Sequence, residues 1–189
     1  MRALLYVLFW LSLVLWVAAV IAPVPAAISA FITIPSYEPV VPEYAAYFND
    51  DAAGMGRLLA GFVTDPIFRV ADLAQWFLAS TTFVLALVLF GGRKHAWALA
   101  RWCGIGLLAA SLALVVYHNT IMGPRMADSI SDYRAAARKL EPQLAAEARD
   151  RFDADHRLAE PLFGVRLLFL LGAVTAFSIV QSPQPNEQQ

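Results

Sequence analysis

Acidic side chains are missing from a long internal stretch of this 189-residue chain: no Asp or Glu occurs between Leu73 and Pro124. Charge of either sign is absent from Ala3 to Ala22. The single cysteine, Cys103, excludes an intramolecular disulfide and any all-cysteine metal site, and within its apolar run it reads as a packed apolar side chain. Walker loops, dinucleotide-binding glycine fingerprints and Gly-x-Ser-x-Gly elbows are also missing, which argues against the familiar soluble enzymes without excluding every enzyme. A net charge of −1 gives no basic face for nucleic acid. No repeat of about 20–50 residues is evident, so an inverted-repeat transporter would have to assemble from several copies.

Long apolar runs are what the chain has instead. They fall at about 3–22, 67–90, 96–117 and 161–180. A helix rises about 1.5 Å per residue, so roughly 20 apolar residues match a hydrocarbon core of about 30 Å. The hydrophobic share is 59% and the charged share 15%, against about 45–50% and about 25% in soluble domains. These runs predict an all-α integral membrane four-helix bundle, a single domain over 1–180 with the lipid bilayer as its first partner.

Met1-Arg2 ahead of an apolar run could also open a secretory signal, with Ala26–Ala30 as a cleavable small-residue segment. The stretch is longer than the 7–15 apolar residues typical of signals, carries Trp10 and Trp16, and is followed by Pro23 and Pro25. A retained first span is therefore expected, bending or ending at Pro23-Val24-Pro25 because each proline lacks an N–H and crowds the preceding turn. Pro35 to Asp51 reads as an acidic aromatic loop with Tyr37, Tyr44, Tyr47 and Phe48, suited to the headgroup layer. Ala52–Val63 predicts a short amphipathic helix, and Asp65-Pro66 a capped start for the second span.

Gly91-Gly92-Arg93-Lys94-His95 is a tight basic turn, and the third span is expected to end near Gly123-Pro124. Beyond it Met126, Ile130, Tyr133, Ala137, Leu140 and Leu144 recur at helical spacing with charges on the other face. Glu141-Pro142 interrupts that stripe. Two extramembrane amphipathic helices, about Arg125–Leu140 and Pro142–Glu160, are thus predicted as a cap between spans three and four. Pro161 opens the fourth span, and 181–189 read as a disordered tail.

Orientation has two readings. Arg2 and the Arg93-Lys94 turn place the N-terminus inside, whereas the third connection is itself rich in Lys and Arg, the residues that mark an inner loop. Short turns and the first helix carry the signal, so both termini are taken as cytoplasmic.

Three short motifs resemble a known family: Ala53-Gly54-Met55-Gly56-Arg57 before the second span, Gly123-Pro124-Arg125 after the third, and Phe152-Asp153-Ala154-Asp155-His156 before the fourth. In this order and placement they resemble the bacterial relatives of transmembrane protein 205. That is a four-helix membrane family whose bacterial branch is named only as a domain of unknown function. The resemblance covers about Leu5 to Val180, with Pro35–Asp51 as an insertion. It implies the four-span fold, a bacterial inner-membrane location and Gly123, Pro124, Arg125, Phe152 and His156 as family-motif positions. Where members often carry a serine and an asparagine after the histidine, this chain has Ala159 and Phe163.

Candidate functional residues are charges that are costly to hold in lipid, about 2.5–3.5 kcal/mol each at a span centre. Asp65, Arg69, Asp72 and Gln75 share one face of the second span, where Arg69 can pair with either aspartate. They read as an interfacial salt-bridged turn or as an ion-handling stripe. Arg166, inside the fourth span, either snorkels, pairs with Asp72 or Glu160, or joins a polar cavity between spans two and four. Arg101 extends the basic turn before the third span. His118 and His156 lie at span ends that a hairpin could bring to one face, a haem or metal alternative to interfacial histidines hydrogen-bonded to Asn119, Asp155 or a headgroup. No cofactor is expected. The function expected is that of a structural or docking component for a membrane or periplasmic protein, or for a second copy, with small-solute or ion transport as the alternative.

Overall fold

The computed structural model describes residues 1–92 and 97–182. The basic residues of the Arg93-Lys94-His95 turn lie outside the described residues, as does the expected 181–189 tail from 183 on, while Gln181 ends the last helix. The elements are α1 (Arg2–Ile21), α2 (Pro23–Thr33), a 3₁₀ turn at Pro35–Tyr37, α3 (Pro42–Phe48), α4 (Ala52–Phe90), α5 (Ala98–Tyr117), a π turn at His118–Met122, α6 (Gly123–Arg138) and α7 (Pro142–Gln181). Among the described residues there is no strand, and the all-helical expectation holds. Four helical stretches, Arg2–Tyr37, Ala52–Phe90, Ala98–Arg138 and Pro142–Gln181, are long and apolar enough to cross a membrane.

Two local expectations are corrected. Pro66 does not open a helix but lies inside α4, and Pro161 lies inside α7. Each removes one backbone hydrogen bond, and side chains buried along α4 and α7 on either side of the proline hold the helix through the gap. Asp65 accordingly pairs with Arg69 one turn on instead of capping. Other boundaries follow their local chemistry. α1 ends at Ile21 and Pro23 takes the first helical position of α2. Between α6 and α7, Leu140 adopts a left-handed φ of 60°. Glu141 N–H donates to Ala136 O at 3.0 Å and Leu140 N–H to Ala137 O at 3.2 Å, a Schellman corner with leucine where glycine is usual.

The chain sorts into two compact units by its internal contacts. The first comprises Met1–Val20, Ala74–Val116 and the chain from Leu162. Its core contains Phe9, Leu13, Trp16, Leu108, Val115, Leu170 and Phe177. Phe9, Phe90 and Phe177 form a mutual ring cluster with centroids 4.7–5.5 Å apart. A methyl group on Gly104 would lie 2.9 Å from the Phe177 ring, so the glycine admits that ring. The outer side of this unit is also apolar: Leu4, Val7, Leu11, Val14, Phe77, Val84, Val88, Leu99, Trp102 and Leu168 are exposed. Helices hydrophobic all round belong in a large interior or in lipid.

The second unit comprises Ile21–Leu73 and Tyr117–Pro161. Tyr44, Phe48, Met55, Leu58, Tyr133, Ala136, Ala137, Ala145 and Ala148 make its core, with Val41, Tyr47 and Ile130 packed against them. The apolar stripe of α6 thus packs partly on the chain's own first connection, through α3 and the start of α4. Leu140 and Leu144 remain exposed.

Candidate functional site

Charged side chains of the second unit form pairs at defined positions. On α4, Arg69 donates from Nε and Nη2 to the two carboxylate oxygens of Asp65, at 3.3 and 3.0 Å. The pair lies at the surface, with the Arg69 side chain 72% exposed. One turn earlier, the guanidinium of Arg134 on α6 lies over the Phe62 ring, 3.9 Å from its centroid. A planar, weakly hydrated cation suits such a ring face.

Asp72, three residues beyond Arg69, faces His118: Nε2 to Oδ2 is 3.5 Å. The histidine is buried and opens the π turn. That turn exists because Gly123 N–H donates to His118 O, five residues back, while Pro124 has no N–H to continue the tighter ladder. Single π turns occur often at functional sites. Here the turn sets an imidazole against a carboxylate.

Two of the sequence motifs meet. Arg125 Nη2 lies 2.9 Å from Asp155 Oδ1, and Asp155 is buried whereas the Arg125 side chain is largely exposed. His156 sits on the exposed side of α7, its ring stacked on Phe152 at 5.5 Å and 13°, with Nε2 3.4 Å from Glu160. His118 and His156 are therefore engaged by different carboxylates. Among the described residues, no group of three or more His, Cys, Asp or Glu is placed to hold a metal ion.

Gln75 and Arg166 belong to the first unit, where they are 1% and 2% exposed. Arg166 does not lie at the surface; its guanidinium lies over Phe163, 4.4 Å from the ring centroid. The polar candidates thus divide. Asp65, Arg69 and Asp72 join His118 in the second unit, and Gln75 and Arg166 are core residues of the first. Arg101, also in the first unit, is buried with its guanidinium carbon 5.0 Å from the Trp102 ring centroid.

Sequence reasoning offered Asp155 only as a hydrogen-bond partner for a histidine, and singled out neither Arg134 nor the Arg151–Asp132 pair at 3.1 Å. The dense alternation of acids and bases from Met126 to Glu160 was the available signal. It names no partners, since these lie on other helices or across the α6–α7 corner.

An open cleft of about 410 Å³ also lies in the second unit, lined by Ala46, Tyr47, Phe48, Asp51, Tyr133, Leu140, Pro142 and Arg149. Tyr47 meets Phe48 and Tyr133 edge to face at 5.1 and 6.4 Å. Asp51 Oδ1 accepts the Gly54 N–H at 2.8 Å and so caps the start of α4. Arg149 adds a positive rim, 3.8 Å from Asp153.

No family model, curated protein or solved structure matches the chain.

Proposed function

We propose that the chain is an integral membrane protein whose second unit is a docking platform for a membrane or periplasmic protein. The cleft of that unit carries the reading. It combines an aromatic floor (Tyr47, Phe48, Tyr133), charges of both signs at its edge (Asp51, Arg149) and an exposed leucine at its lip (Leu140). Aromatic and arginine side chains gathered in a concave surface are the composition of protein interface hot spots. Membrane insertion is supported by the first unit, whose outward face is as apolar as its core. The bacterial inner-membrane location, the cytoplasmic termini and the kinship with the relatives of transmembrane protein 205 are parts of the same proposal.

A photo-crosslinking residue at Leu140 in native membranes tests the docking role. A discrete protein adduct, heavier than the chain and lost when Arg149→Glu reverses the rim charge, is the expected result. Recovery of lipid adducts alone overturns the role, and self-adducts alone assign the cleft to a second copy.

A further inference from the structure

The core of the first unit holds polar side chains that the docking role does not use. Ser12 and Thr82 are hydrogen-bonded to each other at 2.9 Å, and Ser12 donates onward to Phe9 O at 2.9 Å. Trp16 Nε1, Gln75 Oε1 and Ser111 Oγ are buried and have no hydrogen-bond partner among the described residues, and their side chains are at most 1% exposed. Buried polar atoms in native folds are almost always satisfied, by protein or by ordered water.

Register arranges these atoms in order. The Ser12–Thr82 bond sets α1 and α4 level at that point. Methyl groups built at Gly104 and Gly172 would lie 2.9 Å from Phe177 and 3.0 Å from Leu107, which sets α5 and α7 level there. Phe9 lies 5.1 Å from Phe177, which links α1 to α7. One turn along from Ser12–Thr82, Trp16, Ala79, Ser111 and Leu170 therefore share a level, and all four are fully buried. One turn further, Val20, Gln75, Val115 and Arg166 share the next. At the opposite end the Phe9–Phe90–Phe177 cluster closes the sequence with rings only.

Successive levels stand about 5.4 Å apart, the helix pitch. A water bridging two polar atoms at its tetrahedral angle spans about 4.5 Å, so one or two linked waters carry the column from level to level. Ala79 contributes only a methyl group at the middle level. A donor (Trp16 N–H), a donor-acceptor (Ser111) and an acceptor (Gln75 Oε1) supply the two to four partners that a buried water requires.

We propose that the first unit binds a short column of ordered water. It runs from the Gln75–Arg166 level past Ser111 and Trp16 to the Ser12–Thr82 pair, and the three phenylalanine rings stop it. The ligand is water, and the aromatic cluster bounds the hydrated stretch at one end.

Water-edited NMR of the full chain in lipid nanodiscs, with ¹⁵N-labelled tryptophan, reads this without mutation; Trp16→Phe assigns the indole signal. Rapid transfer of water magnetisation to the Trp16 indole N–H is expected, falling at least threefold in a Gln75→Leu, Ser111→Val double variant. A Trp16 signal that receives no water magnetisation overturns the column. The measurement does not depend on the cleft of the second unit, so loss of the docking role would leave its outcome readable.

Discussion

Gly56 illustrates how a single residue sets a local approach. A methyl group there would run into Cα of Pro35, so the 3₁₀ turn would have to withdraw as a unit. Alanine favours a helix over glycine by about 1 kcal/mol, but overpacking against backbone costs about 1–3 kcal/mol. Gly56→Ala should therefore lower the thermal unfolding midpoint in detergent. Gly106→Ala, at a site with nothing within 4 Å, should raise it by the propensity alone. A midpoint raised equally by both would remove the close approach from the account. Asp155 gives a second case. It is buried and ion-paired with Arg125 at 2.9 Å, but the arginine side chain is largely exposed. Water can replace the bond on that side, so Asp155→Ala should cost only about 1 kcal/mol. At this scale the sequence marked positions without reasons. The Gly-x-Gly of Gly54 and Gly56 was visible as a motif, whereas its cause, the nearness of Pro35, is a tertiary fact.

Among the elements, the helices were legible where the signal is local and ambiguous where packing competes with it. The α6–α7 corner could be read from Glu141-Pro142, since the residue before proline avoids the helical region. At Asp65-Pro66 the same local rules favoured a new helix, yet α4 runs through, with Leu58 and Ala60 buried before the proline and Ala79 and Ala86 after it. A proline inside a helix costs about 3 kcal/mol, so Pro66→Ala should stabilise the protein by up to that amount with helical content unchanged by circular dichroism. A loss of stability would instead show that a bend at Pro66 is needed by the packing. Leu140 offers the reverse repair. A left-handed conformation costs an L-residue about 1–2 kcal/mol, and glycine's extra chain entropy returns about 0.5–1 kcal/mol of the gain. Leu140→Gly should thus stabilise by about 0.5–1 kcal/mol, and a lower midpoint would mean that the exposed leucine side chain does more for the fold than its backbone strain takes away.

At the scale of the whole molecule, the four apolar runs were legible because lipid-length segments differ from soluble helices in composition, whereas partners among the charges were not, because they depend on which helix faces which. The first unit takes roughly 17–20 residues from each of α1, α4, α5 and α7, a length of about 26–30 Å that matches a hydrocarbon core. Cys103 lies on its exposed side, beside the exposed Trp102. Accessibility on the isolated chain and accessibility to water are then different properties. A polar reagent dissolved in water does not enter hydrocarbon, so a thiol covered by lipid is out of its reach. In intact membranes Cys103 should resist a water-soluble maleimide. After solubilisation in a denaturing detergent it should label fully, and because it is the only cysteine no mutagenesis is needed. If lipid covers this face, the ratio of labelling between the two states should be at least tenfold. Equal labelling in both states would put this face in water and withdraw the membrane reading of the first unit, whatever the lengths of its helices.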